Sequence, residues 1–251
     1  MQLRNPLFKN MDNDYGYEQS DCATVHGVFG KTLFLLGVVI ISAILAIAFM
    51  YNLTEDNIGT FIGLLLLSIV VSLISGLIAT FSVRLCPVFS VIYALAEGFM
   101  LGVISLLVEL YYPGVAICAV IATFAVTLVM GVLYFTGIIK VNKKFKAFIL
   151  TALIAIILAS VISAILAAVG FKQMEEVLYG SGPIAWIVSI FCVIIASLSL
   201  CIDFDYAANL VEGGAPKKYE WKAGFCLTTS IIYLYLRLLE LFIRIAAASK
   251  K

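Results

Sequence analysis

Residues 58–81 read IGTFIGLLLLSIVVSLISGLIATF, a stretch without a single charged side chain. An α-helix rises about 1.5 Å per residue, so about 20 apolar residues cross the roughly 30 Å hydrocarbon core of a bilayer. A helix that is apolar on all sides is either buried in protein or immersed in lipid. We therefore predict that this stretch forms a membrane-spanning helix.

Further apolar stretches of similar length lie on both sides of it, at 32–51, 88–111, 114–138, 145–169, 183–206 and 223–245. Short turn-like segments separate them, at 52–57, 84–87, 112–113, 140–144, 170–182 and 207–219. The pattern predicts an all-α integral membrane protein with a bundle of seven transmembrane helices over 32–245. A polar cytoplasmic segment at 1–31 precedes the bundle, and a short C-terminal tail at 246–251 follows it.

The composition of the whole chain favours the same class. Of 251 residues, 63% are hydrophobic and 12% are charged, whereas about a quarter are charged in an ordinary soluble domain. The net charge of +1 gives no general attraction for nucleic acid. The expected partners are therefore the lipid bilayer and small cations, and no nucleic acid. The polar N-terminal segment lacks the apolar core of a signal peptide, so the first apolar stretch is expected to be retained.

Basic residues concentrate on one side of the predicted topology. With the N-terminus inside, eleven of the 16 basic residues fall on the cytoplasmic side, three fall outside, and Arg237 and Arg244 belong to the last span. The eleven are Arg4, Lys9, Lys31, Arg84, Lys140, Lys143, Lys144, Lys146, Lys217, Lys218 and Lys222, and the three are Lys172, Lys250 and Lys251. Because cytoplasmic loops carry the excess of lysine and arginine, we predict a multi-pass protein of the plasma membrane with its N-terminus cytoplasmic and its C-terminus outside.

Small residues recur at four-residue spacing in two of the spans. Gly98 and Gly102 form one such pair, and Ser160, Ala164 and Ala168 form a second series. Small side chains at this spacing let two helix backbones approach closely in lipid. The pattern predicts a packed bundle and carries no information about a substrate.

Ionisable side chains inside the predicted spans are candidate functional residues, because each costs about 3 kcal/mol or more in hydrocarbon. Counting from the span ends gives an inner layer of acids without an obvious cation: Glu97, Asp203 and Asp205. A carboxylate in such surroundings favours binding a proton or a metal cation. We predict an ion or proton site there, with calcium considered at the two aspartates and no other metal or cofactor assigned.

Two structural alternatives stay open for the inner layer. Asp203 and Asp205 are about 200° apart around a helix, so both cannot face one cavity. One of them is expected to point toward neighbouring helices or the lipid headgroups, and Asp205 could simply mark the cytoplasmic interface. Glu97 could form a structural hydrogen bond with a neighbouring helix.

The outer half of the last span contains a second group of charges. Arg237, Glu240 and Arg244 are spaced i, i+3 and i+7, which places them on one helix face. This spacing predicts an ion-pair ladder near the outer interface, or alternatively a latch or gating pair formed by Arg237 and Glu240. Glu109, which precedes Tyr111 and Tyr112, is expected to be interfacial.

Several short motifs resemble the prokaryotic branch of the Bax-inhibitor-like membrane proteins. They are IDFDY at 202–206, EGGAP at 212–216, LYL at 234–236, YALAEG at 93–98, LG at 101–102, TGII at 136–139, NP at 5–6, and Pro87. Their order and spacing extend over nearly the whole chain. The resemblance implies a seven-helix bundle whose last helix is surrounded by the others.

The resemblance also implies a function. Better-understood relatives conduct calcium in a pH-sensitive way through two aspartates, one on span 6 and one after Leu-Tyr-Leu on span 7, with an arginine latch on span 2. Asp203 or Asp205 matches the first aspartate, but Arg237 occupies the second position and span 2 carries no charge. An arginine there excludes a shared-proton aspartate pair, and it could act as the latch itself.

The expected function is therefore a pH-sensitive leak channel or transporter for calcium or protons. The alternative is a non-transporting regulator that binds another membrane protein, such as a protease or a cell-death factor. We do not expect an enzyme, because the only histidine, His26, lies in the polar N-terminal segment and no GxxxxGK[ST] loop is present. A cavity lined by Glu97 with Asp203 or Asp205 would favour ion passage over regulation.

Overall fold

The computed structural model describes residues 22–52, 58–168 and 182–249. Over these residues the chain forms seven helices in sequence order. They are α1 (Val25–Tyr51), α2 (Ile58–Phe81), α3 (Cys86–Tyr111), α4 (Val115–Phe135), α5 (Lys143–Ala168), α6 (Pro183–Glu212) and α7 (Tyr219–Ser249).

Six of these helices are long and apolar enough to cross a membrane, which confirms the all-helical, multi-pass membrane architecture. The helix outside this group is α7. It is 31 residues long, or about 46 Å at 1.5 Å per residue, so length does not limit it. Its second half contains Arg237, Glu240 and Arg244, and these charges lower its apolar character.

Three helices extend well beyond their predicted limits: α1 by seven residues at its start, α6 by six at its end, and α7 by four at each end. α1 begins at Val25 rather than at residue 32, because the hydroxyl of Thr24 accepts a hydrogen bond from the backbone amide of Gly27 and caps the helix. α6 continues to Glu212 through the first six residues of the predicted turn at 207–219, since Ala207 and Leu210 are buried against the rest of the bundle. The predicted turn at 170–182 lies almost wholly outside the described residues.

The last helix lies inside the bundle. α7 packs against α1, α2, α3, α4 and α6, whereas α5 packs only against α6 within the described part of the chain. Many α7 side chains are fully shielded, among them Leu227, Thr228 and Leu234. This arrangement explains why α7 tolerates more polar and charged residues than the lipid-facing helices do.

One end of the bundle gathers the starts of the odd-numbered helices and the ends of the even-numbered ones. Contacts of Thr24 with Glu220 join the starts of α1 and α7, and contacts of Asp205 with Tyr134 and Lys146 join the last part of α6 to the end of α4 and the start of α5. We call this the basic end, because nine lysine and arginine residues lie there. They are Lys31, Arg84, Lys140, Lys143, Lys144, Lys146, Lys217, Lys218 and Lys222.

The glycine pair on α3 produces the closest helix approach, as its spacing predicts. A Cβ atom at Gly98 would lie 2.5 Å from the backbone oxygen of Val39, and one at Gly102 would clash with the backbone of Ala43. Only hydrogen fits at these two positions, so α1 and α3 pack backbone to backbone. In the second predicted series, the side chains of Ala164 and Ala168 lie outside the described part of the structure.

Candidate functional site

Asp203 faces the central helix. Its carboxyl group has Ser230 of α7 as a hydrogen-bonding neighbour, and Cys226, one turn earlier on α7, lies beside it. Its Oδ2 atom is shielded from solvent and has no hydrogen-bond partner within the described structure. Asp203 is therefore a carboxyl group held between α6 and α7 with one oxygen unsatisfied and no cation paired with it among the described residues.

Asp205 turns away from α7 toward α4 and α5. Its Oδ2 atom lies 2.5 Å from Lys146 Nζ and accepts a 2.9 Å hydrogen bond from Asn209. The hydroxyl of Tyr134 donates to its Oδ1 atom at 3.4 Å. Since a lysine at the basic end neutralises it, Asp205 has the environment of a surface-anchored ion pair rather than that of an unpaired acid.

The two aspartates consequently do not share a cavity, as their spacing on the helix predicts. Asp203 faces α7, whereas Asp205 faces α4 and α5. The described residues contain no cluster of three or more His, Cys, Asp and Glu side chains of the kind that holds a metal ion. A calcium ion bound by both carboxylates at once is not compatible with this arrangement.

Glu97 lies on the other side of α7, at the contact between α3 and α2. It is 8% exposed, and the hydroxyl of Ser72 on α2 is its hydrogen-bonding neighbour. One turn earlier on α3, Tyr93 hydrogen-bonds to Thr229 of α7 and packs edge-on against Phe225, with ring centroids 5.2 Å apart. Glu97 is thus linked to α2 directly and to α7 through its neighbour Tyr93.

The central helix separates Glu97 from Asp203. Asp203 meets α7 at Ser230, and Tyr93, the neighbour of Glu97, meets it at the adjacent residue Thr229. Successive residues on a helix point about 100° apart. Glu97 and Asp203 therefore lie at a similar level of the bundle on different sides of α7, and neither is the hydrogen-bond partner of the other.

The predicted ion-pair ladder is present on α7. Arg237 Nη1 lies 2.9 Å from one carboxylate oxygen of Glu240, and Arg244 Nη2 lies 3.0 Å from the other. Ser189 of α6 contacts Glu240 at 3.5 Å, and the guanidinium group of Arg237 lies 5.1 Å from the ring centroid of Tyr233. The ladder therefore joins α7 to α6 in the half of the bundle away from the basic end.

Arg237 does not pair with Asp203. The α7 neighbour of Asp203 is Ser230, and seven residues of helix separate Ser230 from Arg237, a distance of about 10 Å along the axis. The guanidinium group is already paired with Glu240. The arginine at the position of the family's second aspartate thus stabilises its own helix and the contact with α6 in this arrangement.

Glu109 has a structural contact at the opposite end of the bundle from the lysines. One of its carboxylate oxygens accepts a 2.6 Å hydrogen bond from the backbone amide of Gly114. Gly114 has a φ of 86°, which is unfavourable for residues other than glycine. Glu109 therefore fixes the tight turn between α3 and α4.

Glu220 was not predicted as a site residue, yet it is the most completely buried acid that the structure describes. Its side chain is 0% exposed and accepts hydrogen bonds from the Thr24 backbone amide at 2.8 Å and from the Thr24 hydroxyl at 3.3 Å. Its other oxygen is ion-paired with Lys31. Two signals in the sequence point to this contact. Glu220 is an acid in the first turn of the last helix, and Gly27 and Lys31 are four residues apart near the start of the first helix.

Glu220 precedes the expected membrane-spanning part of α7, which begins at Ala223. Burial acts to raise the pKa of Glu220, but the hydrogen bonds from Lys31 and from the backbone and hydroxyl of Thr24 outweigh it and hold the pKa below its ordinary value. The carboxylate is also near the N-termini of two helices, α1 and α7, whose dipoles favour negative charge. Glu220 is therefore ionised at neutral pH.

Four cavities lie between the helices that the structure describes, with volumes of about 130, 310, 320 and 400 Å³. Their walls are almost entirely apolar. The cavity of about 320 Å³ lies between α1 and α4 and is closed on its inner side by Phe204, Leu227 and Ile231. None of these four cavities is lined by Glu97, Asp203 or Asp205.

Comparison with protein families matches residues 5–247 to the family described as Bax inhibitor 1 like. No curated protein matches the chain. The family match covers α1 to α6 completely and α7 up to Ala247, and it confirms the family resemblance that the short motifs predict. The chain therefore belongs to the Bax inhibitor 1 like family of multi-pass membrane proteins.

Proposed function

We propose that the protein is a pH-sensitive leak channel or transporter for small cations, either calcium or protons, and that Asp203 is its principal ionisable group. The observation that carries this proposal is the state of the Asp203 carboxyl group, which is buried between α6 and the central helix with one oxygen unpartnered in the described structure. A buried carboxyl group without a cationic partner can take up and release a proton or a cation.

Glu97 and Asp205 complete the proposed inner layer in different ways. Glu97 is a buried acid on α3, on the far side of α7 from Asp203, and it offers a second binding position. Asp205 is ion-paired with Lys146, so its proposed part is to line the basic end of the pathway as an ion pair, whereas Asp203 is the unpaired carboxyl group within the bundle. In the outer half, Arg237 and Glu240 are proposed as the latch that keeps α7 against α6.

The orientation and location belong to the same proposal. The bundle has its basic end in the cytoplasm, its C-terminus outside and the plasma membrane as its site, because basic residues accumulate on the cytoplasmic side. The proposal includes no enzymatic step. The proposed source of the protein's pH sensitivity is its carboxyl groups, principally that of Asp203.

The test is calcium and proton flux into liposomes that contain the purified protein, measured as a function of pH for wild type, Asp203→Asn and Asp205→Asn. We expect flux above that of empty liposomes, with a pH dependence that Asp203→Asn removes. Asp205→Asn should change the dependence less, because Asp205 is ion-paired with Lys146 at the basic end rather than left unpaired against α7. A pH profile unchanged in both variants would remove the two aspartates from the mechanism.

One observation favours a second function, a non-transporting regulator of another membrane protein. The four apolar cavities do not reach the acids, and a regulator would need no polar route between its helices. Wild-type protein that transports neither ion at any pH would favour this alternative. The next experiment would then be chemical crosslinking in native membranes, to identify a protein partner.

A further inference from the structure

The start of α1 is fastened to the start of α7 by contacts that the proposed ion site does not use. The backbone amide of Ala23 donates to the carbonyl oxygen of Ala215 at 2.7 Å, and Cys22 is the antiparallel bridge partner of Pro216. Next to this bridge, the Glu220 carboxylate accepts the hydrogen bonds of Thr24 and the ion pair of Lys31. We call this set of residues, at 22–31 and 215–220, the N-terminal clasp.

The clasp requires glycine at position 27, because a larger residue would not fit there. A Cβ atom at Gly27 would clash with all three atoms of the Glu220 carboxylate group. The carboxylate thus lies directly against the α1 backbone, one turn after the Thr24 cap. A buried ion pair with this many hydrogen bonds is costly to break on one side only, because the remaining charge is left without a partner.

The neighbouring contacts of α1 differ in kind. Gly98 and Gly102 lock α1 to α3 backbone to backbone. Against α7 the approach is looser, since a Cβ atom at Gly224 would lie 3.2 Å from Lys31 Cβ. The clasp itself consists of hydrogen bonds and an ion pair that water can replace, and Lys31 is 18% exposed at its side chain. If α7 separates from α1 and α3, the clasp must open together with the hydrogen bonds of Tyr93 to Thr229 and of Ser105 to Tyr235.

We propose that the N-terminal clasp is a gate on the central helix, which holds α7 against α1 in the closed arrangement described here and opens when ions pass. This inference rests on the proposed ion-leak function. Asp203 is covered by α7 through Ser230, and the four cavities are apolar. In the proposed leak, a displacement of α7 opens a polar route to Asp203. The clasp fixes the end of that helix nearest the basic end of the bundle.

The chain offers a reversible way to lock the clasp. Residues opposite each other in an antiparallel bridge have Cα atoms about 4.5–5.5 Å apart, within the range of about 4.4–6.8 Å that a disulfide requires. Cys22 is a free cysteine opposite Pro216. The substitution Pro216→Cys therefore places a second thiol where a disulfide can form across the clasp, and reduction restores the unlocked protein within the same sample.

The experiment measures flux through liposomes that contain Pro216→Cys after oxidation and again after reduction. We expect oxidation to reduce flux at least tenfold and reduction to restore the wild-type rate. The matched control is the double variant Cys22→Ser/Pro216→Cys, which keeps the new thiol and removes its partner. Its flux should not respond to oxidation, and a response there would assign the effect to another cysteine and overturn the inference.

Two further outcomes separate the clasp from the proposed function. Equal flux in the oxidised and reduced Pro216→Cys protein, with the disulfide verified by peptide mapping, would contradict the gate and leave the ion-leak function in place. Wild-type protein without flux would refute the ion-leak function, and the gate with it, because no pathway would remain to be closed.

Discussion

Replacing Gly27 by alanine tests the clasp at the position where the structure leaves room for hydrogen alone. A Cβ atom at Gly27 clashes with the Glu220 carboxylate, so the variant must displace a carboxylate that is 0% exposed. The same helix provides a matched control three residues later. A Cβ atom at Gly30 meets nothing within 4 Å, so Gly30→Ala changes the helix without touching the clasp.

The two substitutions should have opposite signs. Disrupting a buried ion pair on one side costs about 3–5 kcal/mol, and exchanging glycine for alanine in a helix returns about 1 kcal/mol. Gly27→Ala is therefore expected to lower the free energy of unfolding by about 2–4 kcal/mol. Gly30→Ala changes only the helix propensity, so it should raise the free energy of unfolding by up to about 1 kcal/mol.

The assay is unfolding of the purified protein in detergent micelles by heat and by denaturant, with both variants and wild type measured side by side. The expected order of stability is Gly30→Ala, then wild type, then Gly27→Ala. If Gly27→Ala is as stable as Gly30→Ala, the Glu220 carboxylate does not lie against α1, and the clasp as described here is wrong.

Two further predictions concern the packing of α1 and the charge of Glu220. Gly102→Ala should destabilise the protein by about 1–3 kcal/mol, because it forces α1 and α3 apart. The control Gly63→Ala should not destabilise it, because a Cβ atom at Gly63 meets nothing within 4 Å. Equal stability of the two variants in the same unfolding assay would contradict the close α1–α3 contact. Since the pKa of Glu220 is lowered in the folded protein, its contribution to stability is present above the pKa of the unfolded chain and is lost as the pH falls through the lowered value. The thermal midpoint of wild type should therefore drop further than that of Glu220→Gln between about pH 5 and pH 3, and parallel curves for the two proteins would refute the assignment.

The sequence predicts the helices well because membrane insertion depends on apolar length, a property of each stretch by itself. It predicts their ends less well, because helix ends outside the hydrocarbon depend on distant contacts. α1 begins before residue 32 through the cap at Thr24, which Glu220 also contacts. α6 passes residue 207 because Leu210 is buried, and it ends where Gly213 and Gly214 form the turn.

The candidate site, like the helices, could be predicted from the sequence only in part. Helical spacing alone shows that Asp203 and Asp205 face different directions, and that Arg237 and Glu240 share a face. Spacing cannot show which aspartate faces α7, because that depends on how α6 is rotated within the bundle. Glu220 was not predicted as a site residue because it lies just outside the apolar stretch of α7, where an acid ordinarily contacts water or headgroups. Its partners, Thr24 and Lys31, come from the other end of the sequence.

The separation between those partners affects how the protein is made. Thr24 and Glu220 are 196 positions apart in the chain, so their contact cannot form until the ribosome has completed α6 and begun α7. During all of that time Lys31 has no α7 carboxylate to meet. A nascent chain arrested before Glu220 therefore differs from a finished one at its very first helix, and burial of the Lys31 side chain reports that synthesis has reached the last span.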